Sequence, residues 1–389
     1  MNRNIFHSRE KILSEESIFN SKNTLKNKNI YPSRIRNPYY IVTSRYVRTS
    51  AGIKVLHYLC HALNSLGERA YLIINPYHPP EYSIHPDLLT PLLTQKIVQS
   101  HFDRGLTPIM IYPETIPGNL YDAPFVVRYL LNYPGLLGGD KVFDSSEFCI
   151  SYSKKLGESI PNNQIVLFIP VSDPTLFYPE FEKKRQGTCF YASKFIDYHN
   201  EKPSEITKNS FEITRDLPDS LGQDKIAELF RTSEFFYCYE NSSLIIESVL
   251  CGCPVVMLPN KHLKEFLLSE EFGFDGIAWG TKSDEIERAL DTVSKGREKY
   301  LKLFQIFEDN LLVFIEKTQK KIKNVPYDSP IKINDNFSIS YFKSYYKIKV
   351  AKEMFKYTVI HSGLRYAIFR VLRRILKKGF TVDLDRTGV

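Results

Sequence analysis

The chain has 389 residues, 43% hydrophobic and 25% charged, with a formal net charge of +8. That length buries a sizeable core and predicts two or three domains, and the fractions exclude a disordered or fibrous protein. Eleven Lys/Arg against one acid over 341–378 put +10 into one tail and leave −2 on the rest, which argues against a body-wide nucleic-acid surface.

Residues 1–37 are rich in Asn, Ser, Lys and Arg and read as a mobile leader, or at best a short helix around 8–19. No apolar segment follows the basic start, so no signal peptide is expected. Uncharged stretches such as 248–260 are interrupted by Gly and Pro and are too short to span a bilayer. The six cysteines lack framework or zinc spacing. They read as small core residues of a protein kept in a reducing cytoplasm.

The first convincing strand is 39–43, followed by a loop over 44–52 and a helix over 53–66 with Ile53, Leu56, Leu59, Cys60 and Leu63 on one stripe. Gly67 stops that helix and 70–74 is the next strand. A strand–helix–strand opening of this kind predicts a doubly wound α/β sheet. His57 and His61 stand one helical turn apart, but no third ligand is evident nearby and no metal site is expected. The Pro- and His-rich stretch 75–91 reads as a long loop suited to acceptor contact.

The strand over 106–112 ends in Pro113-Glu114-Thr115-Ile116-Pro117-Gly118-Asn119. Glu114 thus falls where open α/β sheets place their ligands, and it is the first-domain candidate for an acceptor or base role; a turn-stabilising carboxylate is the other reading. Residues 126–131 read as a short helix stopped by Pro134-Gly135, and 148–152 and 165–168 as strands. A stiff connector follows, Ile169-Pro170-Val171-Ser172-Asp173-Pro174-Thr175-Leu176-Phe177-Tyr178-Pro179, with one aromatic anchor. This divides the chain into a first domain over 38–170, a linker over 171–186 and a second domain over 187–325.

In the second domain, 188–192 is a strand that delivers Ser193-Lys194. Further elements are a strand over 211–214, a helix over 224–230 and an aromatic strand over 235–239. Asn241 or Ser242 can cap a helix over about 243–251, which Gly252 closes and Pro254 forbids to continue before a strand over 255–258. Free backbone N–H groups and the hydroxyls of Ser242 and Ser243 suit a phosphate there, and a nearby carboxylate suits a sugar or ribose diol. Many such turns bind nothing. Glu247 tips the reading toward a site, because a carboxylate inside an apolar helix needs a partner. Helices are expected over 283–293 and 300–322. After a linker over 326–340, Leu364, Ile368, Val371, Leu372, Ile375 and Leu376 make one stripe flanked by bases. That pattern suits an anionic membrane interface, or else packing on the protein's own body.

The run Ile246-Glu247-Ser248-Val249-Leu250-Cys251-Gly252-Cys253-Pro254-Val255-Val256 resembles the second-domain signature of two-domain (GT-B) glycosyltransferases of the retaining family 4 type, the glycosyl transferases group 1. The connector is similar to that family's interdomain linker, with Asp173 to Phe177 at the family spacing and Pro170 to Asp173 one residue short. The family pairs two glutamates with seven residues between them; here Glu240 and Glu247 have six. The resemblance covers about 39–325.

The resemblance implies two Rossmann-like α/β domains facing a cleft. It implies transfer of a hexose-type sugar from a nucleoside diphosphate donor to an acceptor hydroxyl, with no metal and no cofactor. It assigns Lys194, and Lys202 after it, to the donor diphosphate, Glu247 to the ribose, and Glu240 or Asn241 to the transferred sugar. Gly52 takes the place of the glycine loop in the first domain, with Arg45, Arg48 and Lys54 near enough in sequence to meet an anion or to be solvated surface bases. With the basic tail, the expected setting is a peripheral enzyme on the inner face of the cytoplasmic membrane. There it would work on a lipid-linked acceptor of bacterial surface polysaccharide such as lipopolysaccharide, O-antigen or capsule. The competing class is a non-catalytic glycan- or membrane-binding scaffold of the same fold.

Overall fold

In the computed structural model the described residues are 36–333, apart from 79, 81, 82, 181 and 215–219. The basic tail over 341–378 and nearly all of the expected leader lie outside them.

The first sheet is built from β1 (Tyr39–Thr43), β2 (Ala70–Ile74), β3 (Ile109–Pro113), β4 (Phe125–Leu130), β5 (Phe148–Ser151) and β6 (Asn163–Val166). All pairs are parallel, in the order β2-β1-β3-β4-β5-β6. The side-chain period of two divides β1 between two cores. Tyr39 and Ile41 join the core under α1 (Ala51–Ser65), while Tyr40 and Val42 join the opposite core with Val98 of α2 (Gln95–Asp103). A parallel sheet covered on both faces needs apolar residues at nearly every position, which is why these strands read as unbroken runs.

Two sequence expectations are corrected by that covering. Residues 126–131 do not form a helix; Phe125–Leu130 is a fully buried strand between β3 and β5. A short apolar run fits either state until its neighbours are known. The helix α1 also starts earlier than expected, at Ala51, so Gly52 sits in its first turn and not in a loop. α2 was not among the expected elements: it is short and polar, and only Val98 and His101 are buried in it.

The second sheet comprises β7 (Thr188–Tyr191), β8 (Phe211–Glu212), β9 (Phe235–Cys238), β10 (Val255–Met257) and β11 (Ile277–Trp279), parallel in the order β11-β10-β9-β7-β8. The helices α4 (Gln223–Thr232) and α5 (Leu244–Leu250) pack on it; α3 (Lys154–Glu158) is a single turn between β5 and β6. Strand order reverses between β1 and β3 in the first sheet and between β7 and β9 in the second. These are the points where open sheets leave a crevice at the strands' carboxyl ends.

One helix ties the two units together. The two helices expected over 283–293 and 300–322 are a single 39-residue helix, α6 (Ser283–Lys321), about 58 Å long at 1.5 Å per residue. Gly296 in its middle is not a stop signal. A Cβ there would lie 2.4 Å from Val249 Cγ1 of α5 and 3.0 Å from the Asp275 carbonyl, so the glycine permits close approach. Tyr300 and Leu303 of α6 belong to the second unit's core, and Leu311, Phe314 and Ile315 to the first unit's. The Tyr300 hydroxyl accepts from the Ser172 N–H and donates to the Ser172 carbonyl, both at 2.9 Å, and so pins the connector between the sheets. The architecture is two doubly wound, Rossmann-like α/β units facing across a cleft, the GT-B arrangement. Among the described residues no helix is long and apolar enough to cross a membrane.

Candidate functional site

The carboxyl ends of both sheets open on one cavity of about 340 Å³. Its first wall comes from the ends of β1, β3 and β4 and from the start of α1: Thr43, Gly52, Glu114, Leu131 and Tyr133. Its second wall comes from the ends of β7, β9 and β10: Lys194, His199, Glu240, Ser242, Ser243 and His262. The size is that of a small-molecule site.

Glu114 follows directly on β3. It is 2% exposed, and its Oε2 accepts the Leu131 N–H at 2.9 Å. Burial pushes its carboxyl up to about 7, against the pull of that backbone donor and of the Arg128 charge. Arg128 of β4 builds the turn around it. Its buried guanidinium pairs bidentately with Glu147 at 2.8 Å and donates to the carbonyls of Ile116 (2.6 Å) and Gly118 (2.8 Å). The loop after β4 closes over this turn. Gly139, at φ +76°, comes so near that a Cβ would sit 2.0 Å from the Glu114 carbonyl oxygen. Arg128 carried no expectation from the sequence; an arginine in the middle of an apolar strand was the available signal.

On the second wall, a π-helical turn (Lys194–Tyr198) follows β7. Glu240, at the end of β9, accepts the N–H groups of Lys194 (2.6 Å) and Phe195 (3.2 Å) on Oε2. Its Oε1 stands 3.4 Å from Lys194 Nζ. The Lys194 ammonium also donates to the Asn241 carbonyl at 3.4 Å. The Asn241 side chain helps shape the wall: it donates to the Glu265 carbonyl and accepts the Leu267 N–H, both at 3.0 Å. Ser242 Oγ accepts the Leu244 N–H at 3.3 Å, and Ser243 makes no side-chain cap on α5.

The structure therefore brings Gly52, Glu114, Lys194, Glu240, Asn241, Ser242 and Ser243 to one cavity, and leaves five named residues, Arg45, Arg48, Lys54, Lys202 and Glu247, off its wall. Arg48 reaches toward the start of α4, where a Cβ at Gly222 would be 3.8 Å from its Nη1. Arg45 is half-buried outside the lining and Lys202 is exposed. Glu247 is the largest departure. It is not in the lining itself: its carboxylate lies behind the lining residue Ser172, accepting from Ser172 Oγ at 3.3 Å and pairing with Lys54 Nζ at 3.7 Å, with the Lys54 and Glu247 side chains both 4% exposed. Gly52 needs no glycine for steric reasons, since a Cβ there would meet Leu131 Cδ1 at an ordinary 3.6 Å.

His57 and His61 each meet a backbone group. His57 Nε2 donates to the Ser44 carbonyl at 3.0 Å, and burial lowers its pKa to about 4. His61 Nδ1 accepts the Leu89 N–H at 2.9 Å. The six cysteines are free and buried.

No protein-family model and no curated protein sequence matches the chain. Several solved structures resemble its fold. AviGT4, a glycosyltransferase involved in avilamycin A biosynthesis, is 11% identical over 75% of this chain and all of its own, with a TM-score of 0.39. SnogD, a glycosyltransferase from Streptomyces nogalater, is 12% identical over 74% of this chain and all of its own, at 0.38. WaaG, a glycosyltransferase involved in lipopolysaccharide biosynthesis, is 11% identical over 74% of this chain and all of its own, at 0.37.

Proposed function

We propose that the protein is a glycosyltransferase that moves a sugar from a nucleoside diphosphate sugar to an acceptor hydroxyl. One observation carries the reading: the cavity places a buried, high-pKa carboxylate, Glu114, on one wall and a Lys194–Glu240 pair on the opposite wall. A cation facing a cleft suits a departing diphosphate, and a carboxylate poised near neutral pH suits an acceptor hydroxyl.

In this reading Lys194 Nζ takes the charge that develops on the diphosphate, and the hydroxyls of Ser242 and Ser243 complete its coordination. Glu240 holds the Lys194 turn in place and borders the transferred sugar. Glu247 belongs to the seam between the units in this conformation; contact with ribose would require it to leave Lys54. No metal and no cofactor is assigned. The chemical outcome assigned is retention, on the family-4 resemblance, with Glu114 then orienting the acceptor hydroxyl by a hydrogen bond; Glu114 acting as a general base on the acceptor would instead give inversion, and the anomeric configuration of the product by NMR separates the two. The acceptor assigned is a lipid-linked surface glycan at the inner membrane face, on the strength of the basic amphipathic pattern over 364–378. A soluble acceptor used by a fully vesicle-bound protein would count against that assignment.

The test is a thermal-shift panel with UDP, GDP, dTDP and CDP. A ligand at a hundredfold over its dissociation constant stabilises by about 2.7 kcal/mol. A shift with one nucleotide that is lost in Lys194→Ala supports the reading. A folded protein that no member of the panel shifts would return the non-catalytic scaffold to first place.

A further inference from the structure

Two histidines far apart in sequence meet on the second wall. His199 follows the Lys194–Tyr198 turn, and His262 comes from the segment after β10. Their rings stack with centroids 3.6 Å apart and planes within 10°. Both line the cavity beside Lys194.

The pair is held, not merely adjacent. Asn260 Oδ1 accepts the backbone N–H of His262 at 2.9 Å, while its Nδ2 donates to the Tyr239 carbonyl at 3.0 Å. Phe195 stacks on Tyr239 (4.9 Å, 30°) and meets the His262 ring edge-on (6.4 Å, 75°). An aromatic layer therefore fixes where the His262 imidazole stands, and His199 stacks on that ring.

Charge decides what such a pair can do. The ionised groups around it are Lys194, Glu240, Glu201 and Lys261. Lys194 faces Glu240, Lys261 pairs with Glu201, and His262 Nε2 is 3.4 Å from Glu201 Oε1. The nearby cations are thus each matched by a carboxylate. Two protonated rings at this separation would repel strongly, which opposes a positive charge on both at once. Burial, the neighbouring His262 and Lys194 lower the pKa of His199, while Glu240 and Glu201 raise it. An arriving diphosphate changes that balance, because a dianion beside an imidazole favours the imidazolium.

We propose that His199 and His262 form a diphosphate subsite with Lys194, and that the pair takes up a proton when a nucleoside diphosphate seats. The proton comes from solvent and is released with the departing nucleotide, so the pair acts as a reversible second cation. This rests on the donor-site reading above, which by itself assigns the diphosphate only to Lys194 and the serine hydroxyls.

The test is isothermal titration of the full chain with UDP, GDP, dTDP, CDP and inorganic pyrophosphate at pH 7, in buffers of different ionisation enthalpy. Wild type is expected to bind with net proton uptake. His199→Gln and His262→Gln are expected to lose that uptake and to bind about tenfold more weakly at pH 6.5, with a smaller loss at pH 8.5. Binding by the wild type with no proton uptake, and with affinity unchanged in both variants, would overturn the histidine subsite and leave the donor-site reading standing. Failure of all five probes to bind the folded wild type would overturn both. Because the proton count is read on the wild type, a variant that misfolds does not remove the test.

Discussion

Lys54 of α1 and Glu247 of α5 stand 3.7 Å apart with both side chains 4% exposed, one from each sheet's helical layer. Lys54 Nζ also donates to the Val171 carbonyl at 3.3 Å, and Glu247 accepts from Ser172, so the pair clasps the connector where the chain crosses between units. A buried charge pair adds little net stability, because each ion loses its hydration, but breaking it leaves one charge stranded. The pair therefore reads as a device that fixes the relative seating of the two walls of the cavity.

Lys54→Met is expected to destabilise the protein by about 3–5 kcal/mol, and Lys54→Met/Glu247→Leu to recover most of that loss. Urea denaturation midpoints of the two variants check it. Equal losses in both would mean that the pair contributes net stability and does more than satisfy itself.

Glu114 predicts a pH dependence with a definite sign. Its carboxyl titrates at about 7 in the folded protein against 4.5 ordinarily. Between those values the unfolded chain gives up a proton that the folded chain keeps, so this group's contribution falls as pH rises through the window, by up to ~3 kcal/mol. Glu114→Gln should remove that slope, seen as a difference between wild-type and variant stability curves from pH 4.5 to 7.5. If Glu114 is a base for the acceptor, transferase activity rises through pH 7 in the wild type and is lost in the variant.

Gly139→Ala should disturb the same wall from behind. The added methyl meets the Glu114 carbonyl at 2.0 Å on a backbone already at φ +76°, and the expected cost is about 2–4 kcal/mol. Thermal melting gives the cost, and nucleotide titration is expected to change less than acceptor use, because the change lies on the first wall.

Lys194→Ala removes the cation from the second wall and leaves Glu240 facing the cavity alone. The loss of a charge-assisted contact predicts about 10- to 100-fold weaker nucleoside diphosphate binding. A parallel loss for the unphosphorylated nucleoside would show that the change is a collapse of the wall and not a loss of phosphate contact.

The features legible in the chain alone are local and periodic. The stripe of α1 between two apolar strands, the Gly252-Cys253-Pro254 stop after α5, and the delivery of Lys194 and Glu114 at strand ends all follow from patterns within a few tens of residues. Backbone propensity, turn chemistry and burial on one face are sufficient for these. The tertiary structure decided whatever depended on a neighbour. β4 is a strand because β3 and β5 flank it, and α6 runs unbroken through Gly296 because α5 leaves no room for a side chain. Glu247 needs a partner by sequence alone, but that the partner is Lys54, 193 positions earlier, depends on how the two units seat. The stacking of His199 on His262 was likewise invisible, because a contact between two loops leaves no period in the chain. Local rules act through covalent neighbours; the site is made by residues that only packing brings together.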